Sequence, residues 1–188
     1  ALSTSVSAST VVILSTNQMV DASDAVVHGT ITEVWTEEDA NGLVWTRAQL
    51  EVDRVLKGNN QKEAYVIDQM GGRFGGNETT VPGGAQFSPG EEGVFFLEQL
   101  GSGRITTVGL SQGKYTVRLD PYSREKIVQR YAAASANNYD HRFIPLPTAE
   151  KRLFLIDLVD TIETRVQAGW DGKPIPGANA TLIISIFL

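Results

Sequence analysis

Cysteine is absent from this chain of 188 residues, and histidine occurs twice. Without thiols there is no disulfide framework, no thiolate nucleophile and no zinc–thiolate site. Aromatic residues make up 8% of the chain, and no apolar run reaches the ~18 residues that would cross a bilayer. Positive charge is also short: 16 lysines and arginines stand against 22 aspartates and glutamates, a net charge of −6. A phosphate-binding surface needs the opposite balance, so a nucleic-acid partner is not expected. What is present is ordinary globular composition, with 41% hydrophobic and 20% charged residues. A chain of this length folds as one domain and buries enough surface to need no staples. The start Ala1-Leu2-Ser3-Thr4-Ser5 is small and polar and has no initiator methionine. It reads as a chain whose leader has been removed, so the expected location is secreted, extracellular or periplasmic.

The chain divides into a domain over residues 1–168 and a Pro/Gly linker with an apolar strand over 169–188. The front reads as a short strand at Val11–Leu14 and a brief helix capped by Ser15. Asp24–Trp35 reads as a strand whose parity slips between Ile31 and Val34, just after Gly29, the mark of a bulge or a strong coil. Glu37–Gly42 is a turn, and Val44–Val52 alternates cleanly, with Val44, Ala48 and Leu50 on one face. Ala64–Gln69 is a further strand. Met70–Pro89 then breaks the pattern with six glycines between Gly71 and Gly84. It reads as a long loop of the kind that is functional or mobile. Gly93-Val94-Phe95-Phe96-Leu97 is a continuous apolar strand and so a central one. Arg104–Leu110, Lys114–Leu119 and Glu125–Tyr131 complete the strands, the last two joined by a proline turn at Asp120-Pro121. A helix is expected over Ala149–Ala168, capped by Thr148 and ended by Gly169, with Leu155, Leu158, Val159, Ile162 and Val166 as its apolar stripe. Many short strands before one long helix, without strand–helix alternation, predict a mainly β fold. The expected form is a small antiparallel barrel of the oligonucleotide/oligosaccharide-binding kind, with a C-terminal helix and a final strand.

Three stretches carry a family resemblance: Asp24-Ala25-Val26-Val27-His28-Gly29-Thr30-Ile31, then Ala48-Gln49-Leu50-Glu51-Val52-Asp53-Arg54-Val55-Leu56-Lys57-Gly58, then Phe87-Ser88-Pro89-Gly90-Glu91 before Val94-Phe95-Phe96-Leu97. Over residues 24–119 this resembles the netrin modules and tissue inhibitors of metalloproteinases. The resemblance implies a secreted barrel that binds proteins, an extracellular protease among the partner classes. Those inhibitors begin with a cysteine whose amine chelates a protease zinc. This chain begins with Ala1 and has no cysteine, so the resemblance does not extend to that mechanism.

Gly109-Leu110-Ser111-Gln112-Gly113 matches the G-x-S-x-G nucleophile elbow, with Asp120 or Asp140 and then His141 in hydrolase order. The elbow needs a strand turning into a helix, and Lys114–Leu119 reads as another strand. The motif therefore reads first as a glycine-rich turn, and a serine hydrolase using Ser111 is the second alternative for function. His28 and His141 lack the spacing of a metal site, and the acids Glu37, Glu38 and Asp39 lack that of a helix–loop–helix calcium site. No cofactor or metal is expected. Gly71-Gly72-Arg73-Phe74-Gly75-Gly76 sets an arginine and an aromatic, the favoured anchors of interfaces, between paired glycines. The terminal stretch places Leu182, Ile184, Ile186 and Leu188 on one face of a strand too apolar to stand in water. It closes its own sheet, adds to a neighbouring copy, or is a vector-derived tail. The leading expectation is a non-enzymatic interaction module acting through Arg73 and Phe74. The alternative is a structural subunit of an extracellular assembly, joined to neighbouring copies by β-augmentation.

Overall fold

A computed structural model describes residues 10–59, 62–130, 137–139, 153–170 and 172. Strand β1 (Thr10–Val12) leads into helix α1 (Thr16–Ala22). Ser15 begins α1 with a capping box: its hydroxyl accepts from the Gln18 N–H, and the Gln18 side chain accepts from the Ser15 N–H. Met19 and Val20 are buried beneath it. At the other end, Lys57 Nζ donates to the carbonyls of Val20 and Ser23, both at 2.6 Å, and so satisfies carbonyls that the helix leaves over.

Two strands of 14 residues each, β2 (Ala25–Glu38) and β3 (Val44–Lys57), make the longest ladder of the fold. Their register shifts at Val26/Val27, His28/Gly29 and Ile31/Glu33, so the bulge read from the parity slip is present and two more precede it. Each shift adds twist, and together they coil β2 strongly. After β4 (Ala64–Met70) come two short strands, β5 (Gly72–Phe74) and β6 (Asn77–Thr79), paired with each other. The expected long loop thus contains a hairpin. Then follow β7 (Glu92–Gln99), β8 (Ile105–Thr107), a 3-10 helix at Leu110–Gly113, β9 (Lys114–Leu119) and β10 (Lys126–Arg130). Strands β11 (Asn137–Tyr139) and β12 (Leu153–Phe154) precede helix α2 (Leu155–Ala168).

The main sheet runs β12-β10-β9-β7-β2-β3-β4, with β8 on the far half of β7, and all its pairs are antiparallel. β8 comes back beside β4 without forming a ladder, so among the described residues the sheet curls but hydrogen bonds do not close it into a barrel. The β1–β11 pair is parallel and separate. The fold is mainly β and antiparallel with a C-terminal helix, as the pattern predicts.

β7 explains the arrangement of the core. Val94 and Phe96 enter one apolar cluster with Met19, Val20, Leu158 and Ile162 under the two helices. Phe95 and Leu97 enter a second, with Ile31, Leu50 and Ile67 inside the curl. A strand buried on both faces must be apolar throughout, which is why its sequence runs without alternation. Fully burying each of these side chains stabilises by ~1.5–3 kcal/mol.

α2 departs from expectation at its start. It begins at Leu155 with Phe154 as N-cap, because Phe154 and Leu153 pair with Ile127 and Val128 as a strand. Its 14 residues span ~21 Å, shorter than read from sequence. Thr148 and residues 149–152, expected as the cap and first turn, lie outside the described residues. Leu158, Val159 and Ile162 are buried as the stripe requires, Val166 is exposed, and Gly169 ends the helix.

Candidate interaction surface

The paired glycines of the β5–β6 hairpin do two different jobs. Gly75 and Gly76 have φ of 56° and 88°, the left-handed pair that a two-residue type I′ turn demands. Gly72 faces the β2–β3 ribbon, where a Cβ would lie 2.6 Å from Thr46 Oγ1 and 2.9 Å from Thr36 Cγ2. Those two threonines are cross-strand partners in the ribbon. They hold the hairpin down: Thr36 Oγ1 donates to the Arg73 carbonyl and Thr46 Oγ1 to the Gly71 carbonyl, both at 2.8 Å. Arg73 is paired across the hairpin with Glu78 at 2.6 Å, and its side chain is 77% exposed. Phe74 is 40% exposed and does not fold back onto the core. The Arg73 and Phe74 pair read from sequence is therefore presented on a pinned, twisted hairpin.

Behind this end of the ribbon lies a polar cluster that sequence reading missed. Asp68 on β4 is 3% exposed, with Arg104 Nη1 at 2.9 Å and Arg47 Nε at 3.0 Å, the latter a charge contact without hydrogen-bond alignment. The Arg104 guanidinium lies over the Trp45 ring, 4.2 Å from its centroid. Trp45 Nε1 donates to Asp39 Oδ2, and Arg47 reaches Glu37 at 3.1 Å. Leu43's backbone N–H does most to hold the Asp39 carboxyl below its usual range, helped by Asn41, the Trp45 indole and Arg104 against the cost of burial. Asp39, weighed above as a calcium ligand, spends its oxygens organising this turn. The cluster joins the β2–β3 hairpin to Asp68 on β4 and Arg104 before β8, so no local pattern announces it.

His28 sits on β2 with Nε2 2.7 Å from Glu92 Oε1, and Lys126 reaches the same carboxylate at 2.7 Å. Burial pushes the Glu92 carboxyl up, but hydrogen bonds from Lys126 and His28 outweigh it and hold it below its ordinary 4.5. A carboxyl held low contributes stability that is full above its unfolded value and is lost as pH falls through the folded value. Glu92→Gln is therefore expected to be less stable than wild type at neutral pH, with the difference shrinking between about pH 5 and pH 3. Urea midpoints across that range measure it; a constant difference would show that the pairing is not what lowers the carboxyl.

Ser111 lies in the 3-10 helix Leu110–Gly113, after two left-handed residues, Gly109 and Leu110, and directly before β9. It is 4% exposed, and its N–H donates to the Gly83 carbonyl at 3.0 Å. This is not a strand turning into a helix, and the serine is not presented. The neighbouring residue does structural work: Gln112 Oε1 accepts from the Leu14 N–H at 2.9 Å and from Arg130 Nη2 at 2.5 Å. Gly113 is required by packing, since a Cβ there would lie 2.6 Å from the Val108 carbonyl oxygen. Asp120 accepts from Ser123 and Tyr122 and shapes the β9–β10 turn. Asp140 and His141, and the apolar set Leu182, Ile184, Ile186 and Leu188, lie outside the described residues. No known protein-family model matches the chain, and no curated protein does.

Proposed function

We propose that this chain is a non-enzymatic, secreted or periplasmic module that binds a protein partner through the β5–β6 hairpin, on a fold like that of the netrin modules. The observation that carries this reading is Phe74, 40% exposed on a hairpin that hydrogen bonds from Thr36 and Thr46 already hold in place. An aromatic anchor on a preorganised element loses little conformational entropy on binding. The Arg73–Glu78 pair leaves the tip without net charge, so contact there rests on the phenyl ring and the arginine plane. The coiled β2 and the two-faced apolar β7 support the netrin-like reading, with an extracellular protease among the partner classes.

A pull-down from the native extracellular fraction tests the proposal. Arg73→Ala/Phe74→Ala is expected to lose a partner that the wild type recovers, with the melting temperature held within ~2 °C because both side chains are exposed. Equal recovery of every partner by both proteins overturns the hairpin reading. A fluorophosphonate probe separates the rival chemistry: Ser111, buried before a strand, is expected to stay unlabelled while a control serine hydrolase reacts. Labelling at Ser111 would replace this proposal with a hydrolase.

A further inference from the structure

β2 is longer than the ladder on its outer side. β7 accompanies it from Ala25 to Thr30. The last bonds on that side are Ile31 N–H to the Glu91 carbonyl at 2.9 Å and Gly90 N–H to the Ile31 carbonyl at 2.7 Å. Pro89, which has no N–H to give, comes next and the chain leaves. Its departure is locked by Glu91, whose carboxylate takes Lys114 Nζ and Thr116 Oγ1, both at 2.6 Å, and the Ser88 N–H at 3.2 Å. From Glu33 to Glu38, β2 is paired with β3 alone among the described residues.

The ladder shows which groups are left over. Asp39 N–H donates to the Leu43 carbonyl, so these two face each other as a hydrogen-bonded pair. Antiparallel pairs alternate, so Glu37, Trp35 and Glu33 also bond to β3, while the N–H and C=O groups of Val34, Thr36 and Glu38 point outward. Among the described residues, no hydrogen bond is made to those outward backbone groups. The β5–β6 hairpin does not cover them: it sits on the side-chain face formed by Thr36 and Thr46. The edge is also charged. Glu33 and Glu38 are exposed and have no ion-pair partner among the described residues, whereas Glu37 is taken by Arg47. A second copy brought edge to edge would add like charge to like, which disfavours self-pairing.

We propose that the β2 edge from Val34 to Glu38 accepts an extended, lysine- or arginine-bearing segment of a partner protein as an added antiparallel strand. The outward backbone groups give affinity, and Glu33 and Glu38 select the cations. The edge is distinct from the hairpin tip, and its test does not depend on that reading.

The probe is a short peptide of alternating lysine and valine, titrated into the full isotope-labelled chain. Saturable binding is expected, with exchange of the Val34, Thr36 and Glu38 amides slowed about tenfold. The same peptide with alternate amides N-methylated keeps its charge but cannot extend the ladder, and is expected not to bind saturably. Glu33→Lys/Glu38→Lys is expected to weaken binding about fivefold or more. Phe74→Ala is expected to leave it within about twofold, which separates failure here from failure of the hairpin reading. Three results overturn the proposal. The N-methylated or an alternating glutamate–valine peptide binds equally well; the slowed amides lie elsewhere; or the edge amides are already protected and are released by deleting residues 181–188, which would make this chain's own segment the occupant.

Discussion

Gly29→Ala is expected to abolish folding or leave a protein at least ~3 kcal/mol less stable, a fall of roughly 6–12 °C in melting temperature for a chain of this size. Gly29 stands at a register shift of β2, opposite Val52 of β3 and Gly93 of β7. A Cβ built there lies 2.1 Å from the Glu51 carbonyl oxygen. That atom belongs to the backbone of the neighbouring strand, so no rotamer change relieves the overlap. Relief would require separating β2 from β3, the ladder on which the inner apolar cluster is built. Gly42→Ala is the matched comparison. That position has φ of +78° but nothing within 4 Å of the added carbon. It is expected to cost only the ~1–2 kcal/mol of a left-handed alanine. Thermal melts of both variants measure the contrast. Equal, small losses would mean that the coil of β2 has slack it is not expected to have.

Asp68→Ala is the second large effect, expected at about 3 kcal/mol. The carboxylate is 3% exposed and lies between Arg104 and Arg47. Its removal leaves two partly buried guanidinium groups facing each other without the charge that holds them together. The loss falls at the lower end for a broken buried pair, because Arg47 keeps Glu37 and Arg104 keeps the Trp45 ring and a 3.8 Å contact with Asp39. Arg104 also joins the start of β8 to β4 where no ladder does so. Trp45 fluorescence is therefore expected to change in the folded variant. Urea unfolding measures the loss; a cost below about 1 kcal/mol would show that solvent already screens both pairs.

Local signals were legible where one residue and its neighbours suffice. Ser15 begins α1 and Gly169 ends α2 as caps, because capping is settled within one turn of chain. The slip near Gly29 shows as a bulge because period two cannot hide an extra residue. Gly75-Gly76 carried a hairpin signal of the same kind, masked by the density of glycines around it. Misreadings arose where a distant partner decided. The helix was expected to begin at residue 149 because Thr148 and Glu150 look like a cap and first turn. Instead Leu153 and Phe154 are drawn into a ladder with β10. At Ser111, where a turn already stood ahead of the catalytic pattern, the neighbours answer to distant partners: Gly113 to Val108, and Gln112 to Leu14 and Arg130.

Composition and periodicity alone determined that the chain is mainly β with a C-terminal helix, that β7 is central, and that the sequence carries no thiol, since these follow from residue type and from where side-chain alternation holds or fails. Tertiary structure decided which residues of the glycine-rich stretch are presented. It also decided which acids are buried beside arginines, and which backbone groups of β2 no ladder among the described residues takes up. Each of these depends on what lies across a strand or a turn from residues far away in sequence, and a single strand's pattern carries no record of its neighbour.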